Sequence, residues 1–237
     1  EVVFGDWSSD VCSSDLMAVC QQAEYAVAGG NPNRANDPAA LVVLTRNTTT
    51  GDLAHLSTFF NGVDAGALQA AWTAACSMDS RSIYVCAADD DAVAHFARNT
   101  TTGQLFQSAQ VRTGINGAPG MEGVAVTVVS PDGKHVYAGT QDDSAIVVFT
   151  RNPQSGRLTH VQSRFNHEGV IFGLQDIRSL CIPPDGAHLY CAGYLDDAIA
   201  VFSRNPDTGQ LLFLRAYRHG EDGITALEGP SSIASSP

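Results

Sequence analysis

The stretch HLYCAGYLDDAIAVFSRNPDTGQL, residues 188–211, decides the fold because two further stretches repeat its order. They are HVYAGTQDDSAIVVFTRNPQSGRL at 135–158 and SIYVCAADDDAVAHFARNTTTGQL at 82–105, so the starting points lie 53 residues apart. A fourth, more divergent copy contains LTRNTTTGDL, with its arginine at position 46. A unit of about 50 residues that recurs at a fixed period is one supersecondary element, which buries its apolar face only against neighbouring copies.

Each copy predicts four strands. In the third copy these are VAVTVVS (124–130), HVYAG (135–139), AIVVF (145–149) and RLTHVQSRF (157–165). Asp132-Gly133 is a tight hairpin signal, because glycine tolerates a positive φ. The run AIVVF is continuously apolar, as expected for a strand that is covered on both faces. The sequence therefore predicts an all-β fold, a β-propeller of four-stranded antiparallel blades, with a stacked solenoid of sheets as the competing architecture.

The repeat also predicts the blade boundaries and the ends of the array. We expect about four blades that form an incomplete arc of a larger ring. The predicted segments are a partial blade at 17–60, blades at 61–112, 113–165 and 166–217, and the start of a further blade at 218–237. The first copy is expected to hold a loop insertion at 31–37 and to lack its inner strand. In an alternative arrangement, residues 231–236 supply that inner strand and close a four-bladed ring.

The segment DWSSDVCSSDL, residues 6–16, does not fit the repeat. All eleven of its residues match one reading frame of a common short-read sequencing adapter. We therefore treat residues 1–16 as a non-native, adapter-like scar and exclude them from fold reasoning. The native N-terminus is then expected to be missing. The compartment is left unknown, between a bacterial periplasmic or extracellular location and a cytoplasmic one.

Charge and hydropathy exclude two classes of partner. The formal net charge is −12 and Lys134 is the only lysine, whereas binding to nucleic acid needs clustered basic residues. No apolar run approaches the roughly 18 residues of a membrane span. The sequence thus predicts no nucleic-acid partner and no membrane span.

The cysteines follow the predicted hairpin register. Besides Cys12 and Cys20, the chain has Cys76, Cys86, Cys181 and Cys191, without a C-x-x-C pair. A hairpin at 185–186 places Cys181 opposite Tyr190, and the equivalent register places Cys76 opposite Ile83. The four cysteines of the repeats are therefore predicted to be small packing residues rather than disulfide partners.

The motifs SPDGKHVY (130–137), DDAIAVFSRNPDTGQL (196–211) and GEDGITALEGPSSIASSP (220–237) carry a family resemblance. Over residues 17–237 the chain resembles the lactonase-type, 6-phosphogluconolactonase-like seven-bladed β-propellers. This resemblance implies that a small-molecule lactone binds at one mouth of the central channel and is opened by water, with no required cofactor. No catalytic motif of the family is matched position by position, so no catalytic set is transferred.

Chain direction predicts which loops share the channel mouth. The loops between the second and third strands of each blade lie on the same face as the loops between blades. These loops carry the catalytic candidates His167 and Glu168, the ligand-binding candidates His219, Glu221 and Asp222, and the metal candidates Asp90, Asp143 and Asp196. Carboxylates suit a hard cation such as Ca²⁺, and a carboxylate or histidine can act as a general base. The aspartates alternatively serve only to turn the chain.

Arg178 is the third catalytic candidate, at the start of an inner strand where the other copies have Trp72, Ala125 and Ser231. A guanidinium that faces the channel would bind a carboxylate or phosphate. The competing interpretation is a salt bridge to Asp176 or Glu168. The arginines that recur in every copy, Arg46, Arg98, Arg151 and Arg204, are predicted to be structural. A non-catalytic propeller of the bacterial surface or periplasm, binding a ligand, a protein or a glycan, stays the alternative to a lactone hydrolase.

Overall fold

The computed structural model describes residues 16–19, 25–29, 39–114 and 118–236, and it contains four four-stranded sheets. The first sheet contains β1–β4, at Leu16–Val19, Tyr25–Gly29, Ala40–Arg46 and Leu53–Phe60. The second contains β5–β8, at Ala71–Cys76, Ser82–Ala87, Ala92–Arg98 and Leu105–Arg112. The third contains β9–β12, at Val124–Val129, His135–Thr140, Ala145–Arg151 and Leu158–Phe165. The fourth contains β13–β16, at Ile177–Cys181, His188–Gly193, Ala198–Arg204 and Leu211–Arg218.

Consecutive strands are antiparallel neighbours in every sheet, which confirms the predicted blade. The local turns have the predicted chemistry. Gly133 adopts φ +69° and donates its N–H to the Ser130 carbonyl at 2.8 Å. The Asn152 side-chain oxygen accepts the N–H groups of Gln154 and Ser155 at 3.0 and 2.9 Å, so the polar turn between β11 and β12 holds itself together.

The four sheets lie side by side as an arc that does not close into a ring. The inner strands β1, β5, β9 and β13 contact one another in that order. All five residues of the run AIVVF in β11 are buried, as predicted for a strand that is covered on both faces. All six residues of β6 and of β10 are buried as well. Between the second and third sheets, the packed side chains include Cys86, Val93, Val136 and Phe149.

The predictions for the ends of the array need two corrections. The first copy does not lack its inner strand, because β1 pairs with β2 from the register Leu16↔Gly29 onward. Residues 231–236 form no strand and do not close a four-bladed ring. Instead they lie beside β13, where the Ile233 N–H reaches Ser179 Oγ at 3.2 Å. The rest of the adapter-like segment and the insertion at 31–37 lie outside the described residues.

A recurring set of contacts, which we call the clasp, joins neighbouring sheets. In each clasp, an arginine and a glycine of one blade contact a tyrosine and an aspartate of the preceding blade. Tyr84 Oη donates to the Gly156 carbonyl at 2.7 Å and accepts from Arg151 Nε at 3.1 Å. Arg151 Nη2 also bonds Asp79 Oδ2 at 2.9 Å.

The next junction repeats the clasp. Tyr137 Oη donates to the Gly209 carbonyl at 2.8 Å, while Arg204 bonds Tyr137 Oη and Asp132 Oδ2, both at 2.8 Å. Tyr84 and Tyr137 thus occupy matching places in successive sheets. The structural role predicted for Arg151 and Arg204 is confirmed.

The cysteine register is confirmed, since Cys181 pairs with Tyr190 and Cys76 with Ile83. Cys86, Cys181 and Cys191 are free, and the first and last of them are buried. Cys76, however, is disulfide-bonded, so its predicted role as a simple packing residue was wrong. Register within one hairpin excluded only the pairing with Cys86, and it carried no information about partners beyond that hairpin. No helix in the described part of the chain has the length and apolar character needed to cross a membrane.

Candidate functional site at the channel mouth

The residue before each of the inner strands β5, β9 and β13 adopts a left-handed backbone, and so does the equivalent residue of the last repeat. The repeat places Ala70, Gly123, Asp176 and Gly229 at this position, with φ of +50°, +65°, +55° and +53°. Glycine takes this conformation freely, whereas a residue with a Cβ is strained there by about 1 kcal/mol or more. Asp176 therefore brings a carboxylate to a place where two of the other copies have glycine, and the cost in backbone strain marks it as a candidate functional residue.

The residue of the preceding repeat that contacts this backbone position also differs at Asp176. Asp91 Oδ1 accepts the Gly123 N–H at 2.8 Å, and Asp197 Oδ1 accepts the Gly229 N–H at 2.7 Å. The corresponding residue before Asp176 is Ser144, which lies 53 residues after Asp91 and 53 before Asp197. The position that carries a carboxylate before Gly123 and Gly229 therefore carries a hydroxyl before Asp176.

Arg178, two residues further along β13, joins Asp176 to two aromatic rings. Its Nη2 atom lies 2.7 Å from Asp176 Oδ2. Its guanidinium carbon lies 5.6 Å from the centre of the Trp72 ring on β5 and 5.0 Å from that of Tyr194, which follows β14. We call these four residues the Arg178 cluster. The salt bridge to Asp176 that the sequence left open is therefore formed, and the bridge to Glu168 is not among the ion pairs of the described residues.

Two polar atoms of the cluster have no hydrogen-bond partner although they are buried. They are Asp176 Oδ1 and Arg178 Nε. Asp176 is 8% exposed, so an unsatisfied oxygen there costs about 1–3 kcal/mol. A ligand hydroxyl or a water that bonds to Asp176 Oδ1 would offset this cost. Because the carboxylate and the guanidinium neutralise each other, the cluster favours a polar, largely uncharged group rather than a bare anion.

The first rim candidates lie outside the Arg178 cluster. His167 is exposed, adopts φ +60°, and its ring centre lies 5.8 Å from that of Phe172. Glu168 accepts the Phe165 N–H at 3.3 Å and lies 3.6 Å from Arg164 Nη1. Among the described residues, no hydrogen bond, ion pair or ring contact joins either residue to Arg178.

The second rim group has similar local partners. Glu221 lies 3.7 Å from Arg218 Nη1, and the Arg218 guanidinium carbon lies 3.4 Å from the centre of the Phe172 ring. The two rim groups therefore meet through Phe172. His219 accepts the Leu227 N–H at Nδ1 and lies 3.5 Å from Glu228 Oε1 at Nε2. Asp222 is an exposed residue with φ +50°.

The aspartates predicted as metal ligands bind the backbone. Asp90 Oδ2 accepts the Gln69 N–H at 2.8 Å, and Asp143 Oδ2 accepts the Glu122 N–H at 2.9 Å. Asp196 Oδ2 accepts three donors at 3.0 Å, from Asn166, Gly173 and Gln175. These contacts favour the interpretation as turn residues, and the described residues contain no group of three or more His, Cys, Asp or Glu side chains that could hold a metal ion. Ca²⁺ binding stays a prediction.

The family comparison agrees with the arc of four-stranded blades. The family model described as "Lactonase, 7-bladed beta-propeller" matches residues 73–226. The chain belongs to this family. The resemblance carried by the motifs of the repeat is thereby confirmed.

Individual relatives cover only parts of the chain. A 6-phosphogluconolactonase of Formosa agariphila is 33% identical over 85 residues, which are 35% of this chain and 22% of the relative. The structure of a functionally unknown protein from Desulfotomaculum acetoxidans matches 87% of this chain and 56% of its own, at 17% identity and a TM-score of 0.67. The structure of the periplasmic gluconolactonase of Pseudomonas aeruginosa matches 86% of this chain and 69% of its own, at 20% identity and a TM-score of 0.55. These structures support the fold.

Proposed function

We propose that this lactonase-family chain binds a sugar-acid lactone at the Arg178 cluster and contributes to its hydrolysis. The observation that carries the proposal is the buried, unpartnered Asp176 Oδ1 beside an arginine that holds the other oxygen of the same carboxylate. A carboxylate fixed in this way has one oxygen left for a water or a hydroxyl. Membership in the lactonase family supports the substrate class.

In this proposal the four side chains have separate roles. Asp176 Oδ1 accepts a proton from the attacking water while the water oxygen bonds to the lactone carbonyl carbon. The bond between that carbon and the ring oxygen then breaks, the ring oxygen takes up the proton held by Asp176, and a hydroxy acid leaves. Arg178 Nε is a donor for the carbonyl oxygen as it gains negative charge. Trp72 and Tyr194 form apolar walls that limit the entry of bulk water.

The rim candidates have a secondary role in this proposal. His167, Glu168, Glu221 and Asp222 are exposed and His219 is half-buried. Glu168, Glu221 and His219 each lie within 4 Å of an oppositely charged or ionisable neighbour. We infer that they contact the outer part of the ligand rather than the carbonyl group. Substitution of Glu168 should therefore change KM more than kcat.

Acid release tests the proposal directly. The chain is incubated with glucono-δ-lactone and with its 6-phosphate in a weakly buffered indicator solution, and the spontaneous rate is subtracted. We expect acid release above that rate, reduced about 100-fold or more by Asp176→Asn because a proton acceptor is lost. Arg178→Met should also reduce the rate, whereas the exposed Asp207→Asn should not.

Two outcomes would contradict the proposal. The first is a rate equal to the spontaneous rate for a chain whose far-ultraviolet circular dichroism shows the folded sheet content. The second is unchanged turnover in Asp176→Asn. Binding of the lactone without turnover would instead support the non-catalytic propeller.

A further inference from the structure

A side-chain hydroxyl closes the junction between the inner strands β5 and β9. Thr73 Oγ1 on β5 donates to the Ala125 carbonyl at 3.0 Å and accepts the Thr127 N–H at 3.1 Å. Both of these backbone groups therefore point away from β10 and toward the preceding sheet. A buried backbone group without a partner costs free energy, so the Thr73 hydroxyl stabilises this edge of β9.

The same kind of contact follows β13. Ser179 takes the place of Thr73 two repeats later, and its Oγ atom accepts the Ile233 N–H at 3.2 Å. Donor and acceptor are 54 residues apart here, as they are in the contact between Thr127 and Thr73. A hydroxyl at this position of the inner strand is thus part of the repeat pattern.

The junction between β9 and β13 lacks this hydroxyl. The repeat places Val126 there, 53 residues after Thr73 and 53 before Ser179. Val126 belongs to the same buried cluster as Ile177 of β13, so it lies against the next inner strand, but its side chain has no polar atom. The backbone groups that a hydroxyl would bond at this junction therefore need another partner.

These backbone groups are the Arg178 carbonyl and the Leu180 N–H. The bulge in β13 falls at Arg178, 53 residues after the bulge in β9 at Ala125. Leu180 therefore takes the place of Thr127, with its N–H turned away from β14. Leu180 is 5% exposed, and among the hydrogen bonds of the described residues none from a side chain reaches either group.

Arg178 thus lies between two open sets of hydrogen-bonding groups. One set is Arg178 Nε with Asp176 Oδ1, and the other is the backbone pair of the Arg178 carbonyl and the Leu180 N–H. A hydroxyl group satisfies such a backbone pair because it donates and accepts at once, as Thr73 Oγ1 does in the preceding junction. An ionised phosphate or carboxylate oxygen has no proton to donate to a carbonyl.

We propose that the Arg178 carbonyl and the Leu180 N–H bind a hydroxyl group of the ligand, which reaches them from the channel that the inner strands line. The proposal rests on the proposed function, in which Arg178 Nε bonds the lactone carbonyl oxygen. Because both contacts come from Arg178 and its neighbour, the hydroxyl and the carbonyl belong to the same ring. The substrate class is thereby narrowed to lactones that carry ring hydroxyls.

Restoring the missing hydroxyl by Val126→Thr tests the proposal. Threonine has nearly the shape of valine, so its hydroxyl should bond the backbone pair and exclude the ligand hydroxyl. Calorimetry measures the binding of two lactams that are not hydrolysed under these conditions, glucono-δ-lactam with ring hydroxyls and δ-valerolactam without them. The intact chain should prefer glucono-δ-lactam by about 10-fold or more, and Val126→Thr should reduce this preference about 10-fold without weakening δ-valerolactam.

Thr73→Val is the matched control, because it exchanges the same two side chains in the opposite direction. It opens the equivalent backbone pair of β9, where the bulge residue is Ala125 rather than Arg178. Both lactam affinities should stay unchanged, although two hydrogen bonds of the fold are lost. In thermal unfolding, Thr73→Val should have a lower midpoint than the intact chain, whereas the midpoint of Val126→Thr should be equal or higher.

Hydrolysis measurements separate this proposal from the proposed function. If no lactone is turned over but Val126→Thr still reduces the preference for glucono-δ-lactam, the hydrolysis fails and the hydroxyl contact is supported. If glucono-δ-lactone is hydrolysed while Val126→Thr changes neither its KM nor the lactam preference, the backbone pair holds only water and the proposal is overturned. Equal weakening of both lactams, or an intact chain without a preference, would overturn it as well.

Discussion

The clasps and the Arg178 cluster both use an arginine paired with an aspartate and an aromatic ring, but they differ in what the pair leaves free. At the clasp, Arg204 is 6% exposed and its nitrogen atoms bond Tyr137, Asp132 and the Gly186 carbonyl. In the Arg178 cluster, Arg178 makes one ion pair and leaves Nε without a partner. A satisfied pair holds sheets together, whereas an unsatisfied pair retains hydrogen-bonding capacity for a ligand.

The same difference appears in the repeat. The clasp recurs with a 53-residue step at the two junctions among the last three sheets. The Arg178 cluster occurs once, because Trp72, Arg178 and Tyr194 have no equivalents of the same type in the other copies. Periodic residues therefore build the arc, and residues that break the period distinguish one blade from the next. The following predictions test whether the clasps hold the sheets together while the residues near the Arg178 cluster contribute less to stability.

The largest expected effect is at the clasp glycine. In Gly209→Ala, the new Cβ would lie 2.3 Å from the His135 ring, on a backbone with φ +75°. Strain and overpacking should together lower the free energy of unfolding by about 4 kcal/mol, measured by urea denaturation. The matched control is Gly220→Ala, which has φ +81° and nothing within 4 Å, and which should lose only about 1 kcal/mol. Equal losses in the two variants would contradict the close packing of the clasp.

The second-largest expected effect is a loss of stability at the clasps in acid. Burial, together with the Arg151 charge, lowers the pKa of His95 to about 4, and burial and Arg204 lower the pKa of His135. Each histidine is then neutral in the folded chain while it gains a proton near pH 6.5 in the unfolded chain. The stabilisation is complete above pH 6.5 and is lost as the pH falls toward 4, because the unfolded state binds more protons in that window.

We therefore expect the free energy of unfolding to fall by about 2 kcal/mol between pH 7 and pH 4.5. Asp132, whose pKa lies at about 2 despite its burial because Arg204 and Ser130 bond it, adds a further loss only below pH 3.8. Replacement of His95 by phenylalanine keeps a ring against Tyr84 and should flatten the pH dependence, whereas His55→Gln, on an exposed residue, should not. A stability that does not change across this range would exclude neutral buried histidines.

The repeat determines how much of these two regions could be predicted from the sequence. The clasp could be predicted in part, because Tyr84, Tyr137 and the turn arginines recur and were recognised as landmarks of the fold. Their contact across the blade junction could not, since the step of 67 residues between Tyr84 and Arg151 depends on how adjacent sheets pack. At the mouth, the sequence identified Arg178 and left its ion-pair partner open between Asp176 and Glu168. Tyr194 was missed because it lies in a loop, where the repeat imposes no side-chain type, and the meeting of Trp72 with Arg178 depends on the curvature of the arc.

Removal of the tyrosine hydroxyl from a clasp should lower the free energy of unfolding less than substitution of the clasp glycine. Tyr137→Phe removes the donor to the Gly209 carbonyl and the acceptor for Arg204 Nε, while it retains the buried ring. We expect a loss of about 1.5 kcal/mol in the free energy of unfolding. Tyr217→Phe, on the outer strand β16, is the control and should change it by less than about 0.5 kcal/mol. If the two variants were equally stable, the repeated hydroxyl would contribute packing alone.

The smallest expected effect is at Asp196. Its substitution distinguishes a turn residue from a cation ligand. Its Oδ2 atom accepts three donors from the loop between the third and fourth blades, and that loop leads into Asp176. Asp196→Ala should therefore cost about 1 kcal/mol in the absence of added metal, while the exposed Asp89→Ala should cost almost nothing. A ligand that binds only the folded chain raises its thermal midpoint. A rise with millimolar Ca²⁺ that disappears in Asp196→Ala would assign the carboxylate to a cation, whereas an unchanged midpoint would leave it as the residue that fixes the entry to the mouth.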